Sequence, residues 1–79
     1  MASGYREPTL DELQALVEDH WRRHSGTYYR HLSRAGDLEA AARAKAEETQ
    51  AEARTLIEGG MSPIEAWSQA QREIALVLI

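Results

Sequence analysis

The chain of 79 residues has no cysteine, no phenylalanine, two prolines and five glycines. Without cysteine there is no disulfide and no thiolate metal site, which excludes a disulfide-stapled scaffold and a zinc finger. Long apolar runs are also missing. The longest, Ile74-Ala75-Leu76-Val77-Leu78-Ile79, has six residues, against the roughly 20 that a membrane-crossing helix needs. The opening Met1-Ala2-Ser3-Gly4-Tyr5-Arg6-Glu7-Pro8 lacks the apolar centre of a secretory signal. The expectation is a cytoplasmic protein without a membrane partner, too short for a multidomain enzyme.

What is present reads as a folded domain. Hydrophobic residues make up 43% and charged residues 28%, a balance typical of globular rather than disordered chains. The apolar share is lean, because 13 of its residues are alanine and only Trp21 and Trp67 are very large. A core this small is marginal unless packing or association supplements it.

Three helix starts are written in capping chemistry. Thr9-Leu10-Asp11-Glu12 and Ser62-Pro63-Ile64-Glu65 are capping boxes, the second with proline at the first helical position, where no N–H is needed. Asp37 is the expected N-cap of another start. Glycine marks the stops: Gly26 after the first helix and Gly59-Gly60 after the long one, each able to take the left-handed conformation. Apolar stripes at steps of three and four agree. They comprise Leu10, Leu13, Val17 and Trp21; then Leu38, Ala42, Ala46, Thr49, Ala53 and Leu56; then Ile64, Trp67, Ala70, Ile74 and Val77. No useful stretch alternates with period two. The reading is all-α, a helical hairpin or three-helix bundle with a long Ala-rich middle helix. Helices are expected near 9–25, 28–58 and 63–78, after a flexible segment 1–8 and within a single domain 9–79. A stripe through Tyr28, Leu32, Ala35, Leu38 and Ala42 crosses Gly36, so the middle helix is either continuous or, as preferred here, broken there.

Charge is segregated. Residues 1–19 carry −4, residues 20–36 carry +4 with no acid, and residues 37–79 carry −4. The basic block holds Arg22, Arg23, Arg30 and Arg34, interleaved with Trp21, Tyr28 and Tyr29. Guanidinium groups beside aromatic rings suit an anionic partner through bidentate bonds and stacking. Arg22, Arg23, Tyr28, Arg30 and Arg34 are therefore the candidate partner-binding residues. The competing reading is structural: positive charge in the last turn of a helix favours its dipole, and acidic flanks can neutralise the block from within. Net acidity argues against non-specific nucleic-acid binding.

Other chemistry finds less support. His20 and His24 have the i,i+4 spacing of a helical metal pair. No His-Glu-x-x-His is present, and two neighbouring arginines oppose a cation, so no metal and no cofactor are expected. Glu39 pairs naturally with Arg43 at i,i+4, while Glu47, Glu48 and Glu52 read as a solvated face. Ser25, Ser33 and Ser68 lack the setting of a nucleophile elbow, and an enzyme is not expected. Leu56 to Pro63 reads as helix, turn, helix, but the following helix offers Arg72 against Glu65 and Glu73, a poor match to a groove-reading helix. The apolar tail supplies Ile74, Leu76, Val77 and Leu78 as a candidate homo-oligomer interface.

The positions His24, Tyr29, Leu32, Ala35, Gly36 and Leu38 together resemble a pattern in TnpV-type proteins of conjugative transposons. The likeness covers about a fifth of the chain. The family's extended N-terminal section is missing, and Gly59 to Trp67 has no clear counterpart. The resemblance implies a bacterial mobile-element setting and no catalytic residues. The leading expectation is a small non-enzymatic helical protein that binds a protein partner, with an acidic surface, through the turn at 20–36. The alternatives are a nucleic-acid-binding regulator using the same block and a structural homo-oligomerisation module.

Overall fold

The computed structural model describes residues 6–77, with side chains described through Arg72. It contains four helices and, among the described residues, no strand: α1 Leu10–His24, α2 Gly26–Ala35, α3 Leu38–Glu58 and α4 Pro63–Val77. The all-α reading holds, and the middle helix is broken at Gly36.

Local chemistry sets most boundaries. At the start of α1 both halves of the capping box form: Glu12 N–H donates to Thr9 Oγ1 at 3.1 Å, and Thr9 N–H donates to Glu12 Oε1 at 2.8 Å. Arg6 adds a guanidinium, with Nη2 at 2.7 Å from Glu12 Oε2. At α4, Glu65 N–H donates to Ser62 Oγ at 3.3 Å. The two helix stops that use glycine share one geometry. Asp37 N–H donates to the Leu32 carbonyl and Gly36 N–H to that of Ser33; Met61 N–H donates to Leu56 and Gly60 N–H to Ile57. This is the Schellman closure, which requires a left-handed residue, and Gly36 and Gly60 have φ of 76° and 107°.

Three expected caps differ. Gly26 does not stop α1; it is the first residue of α2, and its φ is not positive. The interruption falls on Ser25, at φ −139° and ψ 54°, whose N–H still donates to the Trp21 carbonyl. One residue out of helical conformation is enough to redirect the chain. Gly59 stays right-handed at φ −79°, leaving the left-handed turn to Gly60. Asp37 occupies the N-cap position of α3, but its backbone is at φ −104° and ψ −2° and its side chain makes no capping bond. An N-cap carboxylate reaches the first-turn N–H groups from an extended backbone, and the Schellman closure fixes this residue elsewhere.

Helix α3 is the spine. Its buried stripe is Ala42, Ala46, Thr49 and Ala53, and α1 and α4 both run antiparallel to it. One core cluster joins Leu13 of α1, Ala46 and Ala53 of α3, and Trp67 and Ala70 of α4, with Leu10 and Ile57 at its edge. A second joins Val17 and Trp21 of α1, Leu32 of α2 and Ala42 of α3, edged by Tyr29 and Leu38. The small face lets bulky partners approach closely, and the two indoles, 2% and 1% exposed, fill the space. The Thr49 hydroxyl is satisfied by the Lys45 carbonyl at 3.0 Å. The molecule is a rod with extents of 46 × 20 × 18 Å.

In α4 the expected stripe is rotated. Ile64 is exposed and Ala66 is fully buried beside Trp67 and Ala70. Seating a large indole at Trp67 turns the first turn so that the smaller Ala66 faces inward. The tail residues Ile74, Leu76, Val77 and Leu78, expected as an oligomer interface, lie outside the residues whose side chains are described.

Two outcomes follow. Ala46→Leu should overfill the α3 stripe and lower unfolding stability by about 1–3 kcal/mol, whereas Ala44→Leu, on the exposed face, should change it by less than about 0.5 kcal/mol; urea denaturation measures both. The Arg6 hydrogen bond, with that from Thr9, holds the Glu12 carboxyl at about 2, below its ordinary 4.5. A depressed carboxylate contributes above its ordinary value and stops contributing as pH falls through its folded value. The capping-box amides of Thr9 and Glu12 should therefore keep their native NMR shifts on acidification through 4.5 and lose them near 2, and Glu12→Gln should abolish that step.

Candidate functional site

The basic block forms the elbow end of the rod, where α1 ends, Ser25 breaks the helix and α2 turns back across α3. Trp21 anchors it. Its ring is buried, and Tyr28 meets it edge-on with ring centroids 5.2 Å apart and planes at 86°, a favoured aromatic geometry. Tyr29 is half-buried against the same cluster. Leu32 completes the inner face of α2, at 8% exposure. Short as it is, α2 is held by an aromatic contact at its start and an aliphatic one in its middle.

The four arginines divide into two pairs with different fates. Arg22 Nη2 lies 2.6 Å from Asp19 Oδ1, and Arg23 Nε lies 3.0 Å from Asp19 Oδ2. Both are intrahelical pairs, at i,i+3 and i,i+4. The Arg22 hydrogen bond, with the charges of Arg23 and Arg22, holds the Asp19 carboxyl below its usual range; the same carboxylate raises Arg22. One acid thus serves two bases, and the helix that carries this part of the block halves its net charge. Exposed pairs of this kind contribute about 0.2–1 kcal/mol, so they redistribute charge more than they stabilise the fold.

Arg30 and Arg34 are different. They lie at i,i+4 on the same face of α2, are exposed, and among the described residues neither forms an ion pair. His31, also exposed, flanks Arg34 at i,i+3. No acidic residue lies in α2. A Cβ built on Gly26 would lie 3.8 Å from Arg30 Nη1, so the guanidinium lies back along its own helix over the glycine. The expected grouping of Tyr28 with these arginines does not survive helical phase. At about 100° per residue, Tyr28 and Arg30 point in nearly opposite directions. Tyr28 turns to Trp21, although it is 46% exposed, and the arginines turn away from the core.

His20 is half-buried and His24 exposed, with ring centroids 4.7 Å apart. Among the described residues no group of three or more metal-ligating side chains is assembled. Arg43 does not pair with Glu39. It crosses to α1, where Nη1 lies 2.7 Å from Asp11 Oδ1 and 3.5 Å from Gln14 Oε1. A partner on another helix competes well with an i,i+4 neighbour once α1 and α3 are in contact. Beneath this bridge is a cleft of 540 Å³ lined by Asp11, Gln14, Glu18, Glu39 and Arg43. A second cleft, of 670 Å³, lies between α1 and α4 and exposes Leu16 beside Glu12, Ser68 and Gln71. Sequence reasoning missed both, because each is made by residues that come together only through helix pairing.

No protein-family model, no curated protein and no solved structure matches this chain. Among the described residues no helix is long and apolar enough to cross a membrane.

If Tyr28 braces α2 through Trp21, Tyr28→Ala should cost about 0.5–1.5 kcal/mol of stability and alter the near-ultraviolet circular dichroism of Trp21. In a Trp21→Leu background the same substitution should have less effect, which a double-mutant cycle measures.

Proposed function

We propose that this protein is a non-enzymatic helical interaction module that docks an acidic protein surface on the outer face of α2, with Arg30 and Arg34 as the primary contacts. The observation that carries the reading is the split within the basic block. Asp19 occupies Arg22 and Arg23, while Arg30 and Arg34 face outward from an acid-free helix with no ion pair among the described residues. Two guanidinium groups one helical turn apart match carboxylates spaced along a helix or strand, and each can bind bidentately. His31 adds a polar ring at the edge of the same face. The net charge of −4 supports a protein partner over nucleic acid, since phosphate binding rests on a broad basic footprint. Arg22 and Arg23, candidates on sequence grounds, become a reserve at the rim rather than the centre. A cytoplasmic setting fits this reading, and the likeness at His24 to Leu38 covers the same elbow, in keeping with a mobile-element protein.

Affinity capture with mass spectrometry, comparing wild type with two charge reversals, tests the proposal. Arg30→Glu/Arg34→Glu should lose its main partner, with affinity at least about tenfold weaker. Arg22→Glu/Arg23→Glu should lose less, because those groups are already paired. Equal capture by wild type and the first variant, both folded by circular dichroism, would overturn the assignment. Binding to short duplexes that weakens steeply with salt would favour the nucleic-acid reading instead.

A further inference from the structure

Outside that face, one juxtaposition on the elbow is unused by the docking reading: the paired imidazoles of His20 and His24. We propose that these two residues form a chelating site for a borderline divalent transition-metal ion such as Cu²⁺, Ni²⁺ or Zn²⁺. The geometry is the first support. A metal–imidazole bond of about 2.0–2.1 Å places each ring centroid about 3.2 Å from the ion, so two rings bound at 90–110° stand roughly 4.5–5.2 Å apart. The observed separation is 4.7 Å, with the planes inclined at 37°, which lies within that range.

The second support is preorganisation. Both residues are on α1, and the turn that carries His24 is closed by the Ser25 N–H donating to the Trp21 carbonyl at 2.8 Å. Trp21, between them in sequence, is fixed in the core at 2% exposure, which sets the phase of the helix and keeps both histidines off its buried stripe. His20 is half-buried and His24 exposed.

The third support is electrostatic: Asp19 halves the positive charge that Arg22 and Arg23 set beside the histidines. Both guanidinium groups are drawn to Asp19, at 2.6 and 3.0 Å. With Asp19, the carboxylate beside His20, counted against the two arginines, the ion meets a local charge of about +1 rather than +2. Two neutral nitrogens favour ions in the order Zn²⁺ below Cu²⁺ and exclude Mg²⁺ and Ca²⁺, which require oxygen donors. With two protein ligands, the other coordination positions belong to water.

The site is tested on the full chain by NMR titration with Zn²⁺, reading the imidazole C–H signals of all three histidines. His20 and His24 should shift together with one affinity, while His31, on a different helix, should not move. His20→Gln and His24→Gln should each weaken Zn²⁺ binding at least about tenfold, because the second ligand acts intramolecularly; His31→Gln should leave it unchanged. Cu²⁺ should compete with Zn²⁺ for the site, and Mg²⁺ should not. Retained helical circular dichroism separates loss of the site from loss of fold. The proposal is overturned if His31 shifts in parallel, or if either single variant binds as tightly as wild type.

Discussion

The seating of two tryptophans against a face of small residues is the constraint on which the rest of this structure depends. A chain without phenylalanine has few ways to bury a large area, and an aromatic side chain of this size removes about 150–250 Å² from water. Trp21 and Trp67 supply that area in two clusters along the spine, where Ala42, Ala46 and Ala53 accommodate it. The alanines contribute little area themselves. Their role is to let α1 and α4 approach α3 closely enough for the indoles to fill the space. Among the described residues neither indole Nε1 has a hydrogen-bond partner, so these rings are held by their apolar bulk.

The elbow follows from the upper of the two clusters. Trp21 occupies the last full turn of α1, so the chain must turn immediately after it, and Ser25 provides the break. Helix α2 is then short and bounded by Gly36, and it needs only Leu32 and an aromatic edge to hold its inner face. Its outer face is free of packing demands. In α1 the local acid lies one turn before the arginines and satisfies both; α2 has no acid to play that part. The positive charge of the sequence is thus halved in one part of the block and left standing in the other.

Much of this architecture is legible in the sequence where a local rule governs it. The Thr9 box, proline at the start of α4 and the stop at Gly36 each follow from chemistry within a few residues. The buried stripe of α3 follows from its period. Departures arise where a second element decides. Ile64 loses its inward position to Ala66 because Trp67 fixes the phase of α4. Arg43 leaves Glu39 for Asp11 because α1 brings a competing acceptor. Asp37 forgoes capping because the Schellman turn before it sets its backbone. At the site, sequence alone groups all four arginines with Tyr28. Helical phase and the position of Asp19 separate them, and neither acts on composition or charge count. The histidine pair is legible as spacing, but only the structure shows that the ring centroids lie 4.7 Å apart.

Fluorescence of two single-tryptophan proteins, Trp21→Phe and Trp67→Phe, tests most directly whether both indoles occupy the core. In each protein the remaining indole should emit at short wavelength and resist quenching by acrylamide, as expected of a ring at 1–2% exposure. Emission like that of an indole in water, with free quenching from either position, would contradict the account, because the spine would then lack the ring of that cluster and the helices it holds would have no reason to pack as they do.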